Sequence, residues 1–189
     1  DGNLTFGYKK DPLTILQKSK VQKRSFPDFK MILLDNSGSM KEGINGNEGS
    51  TNIIPWGDNS KYHYALLGLY GIENFLQMQN IAQYINHGLT LFSTNTRYKE
   101  SDFKDLKELR KLALSPEFNN TYLNADVLLN ALKGRESFVL SISDGEIANW
   151  NSHKTKFEEL AKNNYFAHVQ IGQGNQFTKD LESWNLPVY

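Results

Sequence analysis

The chain has 189 residues, no cysteine, and 21 lysines and arginines against 21 aspartates and glutamates, for a formal net charge of zero. This length supports one ample domain with room for an extra arm, and the neutral balance gives no global field toward nucleic acid or an acidic membrane surface. The missing cysteines exclude a disulfide framework and a thiolate metal site, and no apolar run approaches the roughly 20 residues that span a bilayer.

No signal-peptide pattern opens the chain, and the expected location is cytoplasmic. The first residue is Asp1, which fits a processed product or a piece of a longer polypeptide. Residues 1–28 form a basic arm carrying Lys9, Lys10, Lys18, Lys20, Lys23 and Arg24, which Leu13, Ile15 and Leu16 can pin to the body. Such an arm is more commonly a solvated face than a dock for an acidic partner. The run Met31-Ile32-Leu33-Leu34 then enters Asp35-Asn36-Ser37-Gly38-Ser39. Large apolar residues without a polar face predict a strand buried on both sides, as in a parallel sheet. Asp35 falls at its carboxyl end, where open α/β sheets bind their ligands. Asp35, Ser37 and Ser39 alternate, so a bent loop can aim three oxygens at one point, a donor set suited to a hard cation such as magnesium. The plain alternative is a buried strand ending in an ordinary Asp/Ser/Gly turn.

Glycine and asparagine crowd residues 41–60 and predict a long loop bordering the same place, with Ile53, Ile54 and Trp56 folding back as a lip. Ala65, Leu66, Leu69, Ile72, Leu76, Ile81 and Ile85 recur at helical spacing and predict a helix over 61–85, in which Gly68 and Gly71 mark close approach to a strand. Residues 88–92 read as a second strand and 96–98 as a short edge piece. Ser101 is a fair N-cap for a helix over 102–112 that turns Phe103, Leu106 and Leu109 inward. After Pro116, Asn119-Asn120-Thr121 precedes a helix with Leu123, Val127, Leu128 and Leu132, ending near Gly134. A buried strand over 138–142 runs into Ser143-Asp144-Gly145. A helix over 153–162, a strand over 166–171, a turn at Gly172 and Gly174, a helix over 177–184 and the start of a last strand at 186–189 complete the chain. Strand and helix in alternation predict an α/β fold: a doubly wound, mostly parallel central sheet with helices on both faces.

Two apolar strands thus end in aspartate, at Asp35 and Asp144. If they are neighbours where strand order reverses, both carboxylates meet in one crevice, within reach of the loop that carries Thr121. Asp35-x-Ser37-x-Ser39, a mid-chain Thr121 and a later Asp144-Gly145 resemble the metal-ion-dependent adhesion site (MIDAS) of von Willebrand factor A (vWA) domains. The tail Val169-x-Ile171-Gly172-x-Gly174-Asn175, with Pro187-Val188-Tyr189 beyond it, resembles the end of that Rossmann-like fold. The resemblance covers about residues 29–189; it departs from many members in having Asn119 and Asn120 where they carry glycines, and in the length of the loop at 41–60.

The resemblance implies that Ser37 and Ser39 bind Mg2+ directly and that Thr121 does so directly or through water. Asp35 and Asp144 would act mainly through waters, with Mn2+ or Ca2+ as substitutes for the ion. Neutral hydroxyl ligands leave the ion with positive charge for an Asp or Glu of a protein partner. The implied function is therefore a metal-dependent protein–protein interaction module. Intracellular members further suggest a separate AAA+ ATPase or a larger assembly as partner; this chain has no ATP motif.

A second function class is a Mg2+-dependent phosphotransfer or phosphohydrolase enzyme. Ser37 stands where such sites carry another acid, no lysine follows an evident strand end, and no Gly-x-Ser-x-Gly elbow surrounds Ser37, so no catalytic residue is assigned. His63, His87, His153 and His168 lack metal-ligand spacing and read as surface or packing residues.

Overall fold

The computed structural model describes residues 26–45 and 54–189. Most of the basic arm, and Ile53 of the expected lip, lie outside the described residues. Among the described residues, five strands form one sheet in the order β3-β2-β1-β4-β5: β1 (Phe29–Asp35), β2 (Asn86–Phe92), β3 (Thr96–Ser101), β4 (Ser137–Ser143) and β5 (Tyr165–Gln170). β1 pairs in parallel with β2 and β4, β4 in parallel with β5, and only β3, at one edge, runs antiparallel. The chain builds outward from β1 to β2 and β3, then crosses back to lay β4 on the other side of β1. That reversal makes the carboxyl ends of β1 and β4 the switch point of an open α/β sheet.

Among the described residues, five α-helices cover the sheet: α1 (Lys61–Met78), α2 (Leu106–Ala113), α3 (Ala125–Leu132), α4 (Trp150–Lys162) and α5 (Gln176–Ser183). Every residue of β1 is buried, and the strand period of two divides its apolar side chains between two cores. Phe29, Met31 and Leu33 face Leu128, Phe157 and Phe177 from α3, α4 and α5. Ile32 and Leu34 face Tyr62, Leu66 and Leu109 from α1 and α2. Each such side chain taken out of water contributes about 1.5–3 kcal/mol before ordering costs are set against it. The α/β Rossmann-like, doubly wound architecture expected from the alternation is what the chain adopts.

Boundaries differ from the sequence reading in ways that have local causes. α1 stops at Met78 instead of continuing to residue 85. Asn80 turns left-handed (φ 55°), its N–H donates to the Gln77 carbonyl, and the Ile81 N–H donates to the Leu76 carbonyl, both at 2.9 Å. This is a Schellman stop, for which asparagine is the usual substitute for glycine. Ile81 and Ile85 keep the apolar spacing because they pack around Leu76 from outside the helix. Gly71 does not mark close approach to a strand: an added Cβ there would meet nothing within 4 Å, and one at Gly68 would make only ordinary contact with Ile142, at 3.7 Å. Ser101 closes β3, so Asp102 caps the following turn, its Oδ1 accepting from Lys104 and Asp105. Phe103, expected inside, is 37% exposed on a 3-10 turn ahead of α2. The expected last strand is reduced to a parallel bridge between Val188 and His168 beside β5.

Candidate metal centre

β1 delivers Asp35 to the switch point with its side chain fully buried, and β4 delivers Asp144 one residue beyond its end, 5% exposed. The two strands are direct neighbours, Leu34 lying opposite Ile142. Two hydrogen bonds orient the Asp35 carboxylate, and a third holds the serine that makes one of them. Asp35 Oδ1 accepts from the Ser37 N–H at 2.9 Å, which bends the chain immediately after the strand. Asp35 Oδ2 accepts from the Ser143 hydroxyl at 2.6 Å, and Ser143 Oγ in turn accepts from the Gly145 N–H at 2.7 Å. The bend brings the Ser37 and Ser39 hydroxyls to 3.1 Å from each other. Burial and the neighbouring charge of Asp144 push the Asp35 carboxyl up to about 7, against the pull of its serine hydrogen bonds.

Thr121 arrives on a loop stitched to the same turn. Ser37 forms a parallel bridge with Asn119, and the Gly38 N–H donates to the Asn119 carbonyl at 2.7 Å. Gly38 is small for a reason: an added Cβ would stand 3.2 Å from that same carbonyl. Asn119 N–H donates to Ser93 Oγ at 3.1 Å, and the Thr121 carbonyl accepts from Ala148 N–H at 2.8 Å. The structure therefore brings the Thr121 loop alongside residues 37 and 38, while among the described residues the Thr121 hydroxyl makes no hydrogen bond to Ser37 or Ser39.

Asp144 is held by its main chain. Its carbonyl accepts from Gln170 Nε2 at 2.8 Å and from Asn175 Nδ2 at 2.6 Å. Gly145 then turns left-handed (φ 80°) beneath Asn175, whose amide atoms would stand 2.6–3.0 Å from any added Cβ. On the side chain, Oδ2 accepts from Lys61 Nζ at 3.1 Å, and Oδ1 is buried without a hydrogen-bond partner. Lys61, the first residue of α1, also pairs with Glu42 at 3.6 Å. Partial burial works against its charge, yet the hydrogen bond and charge of Asp144, helped by Glu42, hold its pKa above the ordinary lysine value. A cleft of about 250 Å³ opens here, lined by Glu42, Lys61, Asp144 and Glu146 among others.

The donors fit a hard divalent ion in kind: all are oxygens, two come from buried carboxylates, and one carboxylate oxygen has an open acceptor position. Among the described residues no group of three His, Asp or Glu side chains is arranged around a metal position, so the set depends on its hydroxyls. Ser143 and Lys61 were missed by sequence reasoning. Ser143 had a signal, a second serine two residues after Ser141 at the end of the mostly apolar run Phe138-Val139-Leu140-Ser141-Ile142. Lys61 had none, since a helix start rather than a strand end carries it. Trp56, expected as a lip, instead packs its ring edge-on against Tyr62, 5.5 Å away in the core under α1. His87 and His168 are buried and hydrogen-bonded away from this site, His87 to the Ala82 carbonyl and His168 to Ser141 and Gln170.

No family model matches the chain, and no curated protein matches it in sequence. Solved structures do. The chain is similar to an aerotolerance-related membrane protein from Bacteroides fragilis (TM-score 0.51, 10% identity), over 85% of this chain and 89% of that one. It is also similar to the D319A mutant of the PilB minor pilin from Streptococcus sanguinis (TM-score 0.52, 9% identity), over 87% of this chain and 57% of that one. A pilus adhesin, SpaC, from Lactobacillus rhamnosus GG matches at 21% identity with TM-score 0.45; the match takes in 65% of this chain but only 16% of the adhesin's length. Among the described residues no helix is long and apolar enough to cross a membrane. At these identities the first two likenesses establish the fold, an α/β Rossmann-like domain of the kind its own strand order displays.

Proposed function

We propose that this chain is a metal-dependent protein-interaction module of the vWA type, with its Mg2+ site at the carboxyl ends of β1 and β4. One observation carries the reading: Asp35 and Asp144, from adjacent strands, converge in a buried crevice beside two hydroxyls that already touch each other. Two carboxylates brought together out of water repel, and a divalent cation relieves that repulsion. Ser37 and Ser39 would hold the ion directly, Thr121 directly or through water, and Asp35 and Asp144 through waters. Mn2+ or Ca2+ would substitute. A largely neutral direct ligand set leaves the ion with positive charge for an Asp or Glu of a protein partner. A separate AAA+ ATPase or larger assembly is a partner class consistent with such a module, and the chain itself acts by binding rather than catalysis.

Lys61 beside Asp144 is the one feature that favours the phosphotransfer alternative, since a lysine can clamp phosphate charge. Ser37 counts against it, standing where a second carboxylate would be needed. Titration calorimetry with MgCl2 tests the module directly. The native protein binds Mg2+, Asp35→Ala does not, and circular dichroism of the two is the same. With Mn2+ bound, a glutamate-containing tetrapeptide lowers water-proton relaxation by taking a water's place on the ion. The native protein turns over no p-nitrophenyl phosphate. Absence of metal binding by the native protein, or Mg2+-dependent phosphate release, would overturn the proposal.

A further inference from the structure

The loop that leaves the candidate metal centre returns to it at its neck. Ile44 N–H donates to the Asn59 carbonyl at 3.2 Å, Gly43 bridges Ser60, and Lys61 N–H donates to the Glu42 carbonyl at 2.8 Å. The Ser60 hydroxyl caps α1 by accepting from His63 N–H at 3.0 Å. Together these fix the backbone of Lys61 at the rim of the crevice. Its ammonium is therefore aimed by the fold at Asp144 Oδ2, 3.1 Å away, with Glu42 Oε2 also near it at 3.6 Å. The Lys61 side chain is only 16% exposed and that of Asp144 6%, so the pair is shielded from the screening that makes surface ion pairs weak. Lys61 is the one cation that an ion pair or hydrogen bond joins to either carboxylate among the described residues.

We infer that Lys61 is the resident counter-ion of the Asp35–Asp144 pair and competes with a divalent cation for Asp144. This rests on the reading of the crevice as a metal site. The physical logic is charge balance. Two buried carboxylates need positive charge nearby, and in this chain a tethered ammonium supplies one unit of it. A divalent ion in the same crevice repels that ammonium and must displace it from Asp144. Glu42 is placed to receive it, so the neck of the loop is coupled to occupancy of the site. Lys61 thereby sets the cation concentration at which the module becomes competent: part of the ion's binding free energy goes into releasing the lysine, and affinity is lower than the oxygens alone would give. A purely structural role, tying the loop neck to the sheet, predicts no such effect on cation affinity.

The test is the dissociation constant of Mn2+, read by electron paramagnetic resonance, in the native protein, Lys61→Met and Lys61→Arg. Lys61→Met, which keeps the length and loses the charge, binds Mn2+ about tenfold more tightly, in the range usual for coupling between two sites. Lys61→Arg, which keeps the charge, stays near the native value. In the native protein, MgCl2 also shifts the Lys61 Nζ resonance as its ion pair breaks, a measurement that needs no variant. Binding by Lys61→Met alone supports the inference while removing the Mg2+ reading for the native chain. Equal or weaker binding by Lys61→Met overturns the inference and leaves that reading standing. Absence of Mn2+ binding in all three proteins overturns both.

Discussion

At the scale of single residues, the crevice works because each buried polar group has a neighbour that decides its charge or direction. Ser143 is the least conspicuous of these. Its hydroxyl donates to Asp35 and accepts from Gly145, so it links the two strand ends without being a ligand itself. Groups that orient ligands typically change metal affinity by about 10–100-fold when removed. Ser143→Ala is accordingly expected to weaken Mg2+ binding by about that factor, read by calorimetry, while the melting temperature moves by only a few degrees. An unchanged affinity would mean that Asp35 needs no such support. A second buried residue contributes to the pH dependence of the fold. Burial, with the charge of Lys30 adding to it, holds His87 down to about 4 from an ordinary 6.5. As pH falls the unfolded chain therefore takes up this proton first. The stability is fully present above about pH 6.5 and is lost on the way down to about pH 4, amounting to about 3 kcal/mol. The raised Asp35 carboxyl contributes a slope of opposite sign over the same range, so the His87 part is read as the difference between the native protein and His87→Gln in urea unfolding between about pH 7 and 4.5; an equal slope in the two proteins would contradict the assignment.

At the scale of elements, what could be read from the sequence depended on whether the deciding contact was local. β1 was legible because a strand buried on both faces must be continuously apolar, and Asp35-x-Ser37-x-Ser39 was legible because its geometry is made within five residues. The end of α1 was not, because Ile81 and Ile85 continue the helical spacing after Asn80 has already turned the chain. Nor was the capping of the turn after β3, since Ser101 and Asp102 are both good caps and only the length of β3 chooses between them. Lys61 was invisible as a site residue for the same reason: its meeting with Asp144 is made by the fold across 83 positions. The turn after β4 is the element most exposed to a single change. Gly145→Ala puts a methyl group into a left-handed position and against the Asn175 amide that holds the Asp144 carbonyl. A cost of about 1–3 kcal/mol is expected from the backbone alone. Chemical denaturation measures that cost, and Mg2+ affinity should fall with it; full stability in the variant would show that the turn has another conformation available.

For the whole molecule, one sheet carries two cores, and the switch point lies between the strands most deeply embedded in both. On the α4 side, Trp150, Phe157 and Phe177 meet edge to face with ring centres 4.7–5.5 Å apart. Phe157→Ala empties the middle of that cluster and should cost about 3–5 kcal/mol by thermal or urea unfolding. Hydrogen exchange should be slowest in β1, which is paired on both sides, and fastest in β3 and around Val188 at the sheet edges. The rigid centre of the fold thus supports the candidate metal centre, while the loop neck at 42–44 and 59–61 borders it. The most direct test of the central claim is a crystal soaked in MnCl2 and measured at the manganese absorption edge. An anomalous peak is expected within bonding distance of the Ser37 and Ser39 hydroxyls, on the side facing Thr121 and the Asp35–Asp144 pair. An empty crevice in a soaked crystal, or a peak only at other positions, would contradict it.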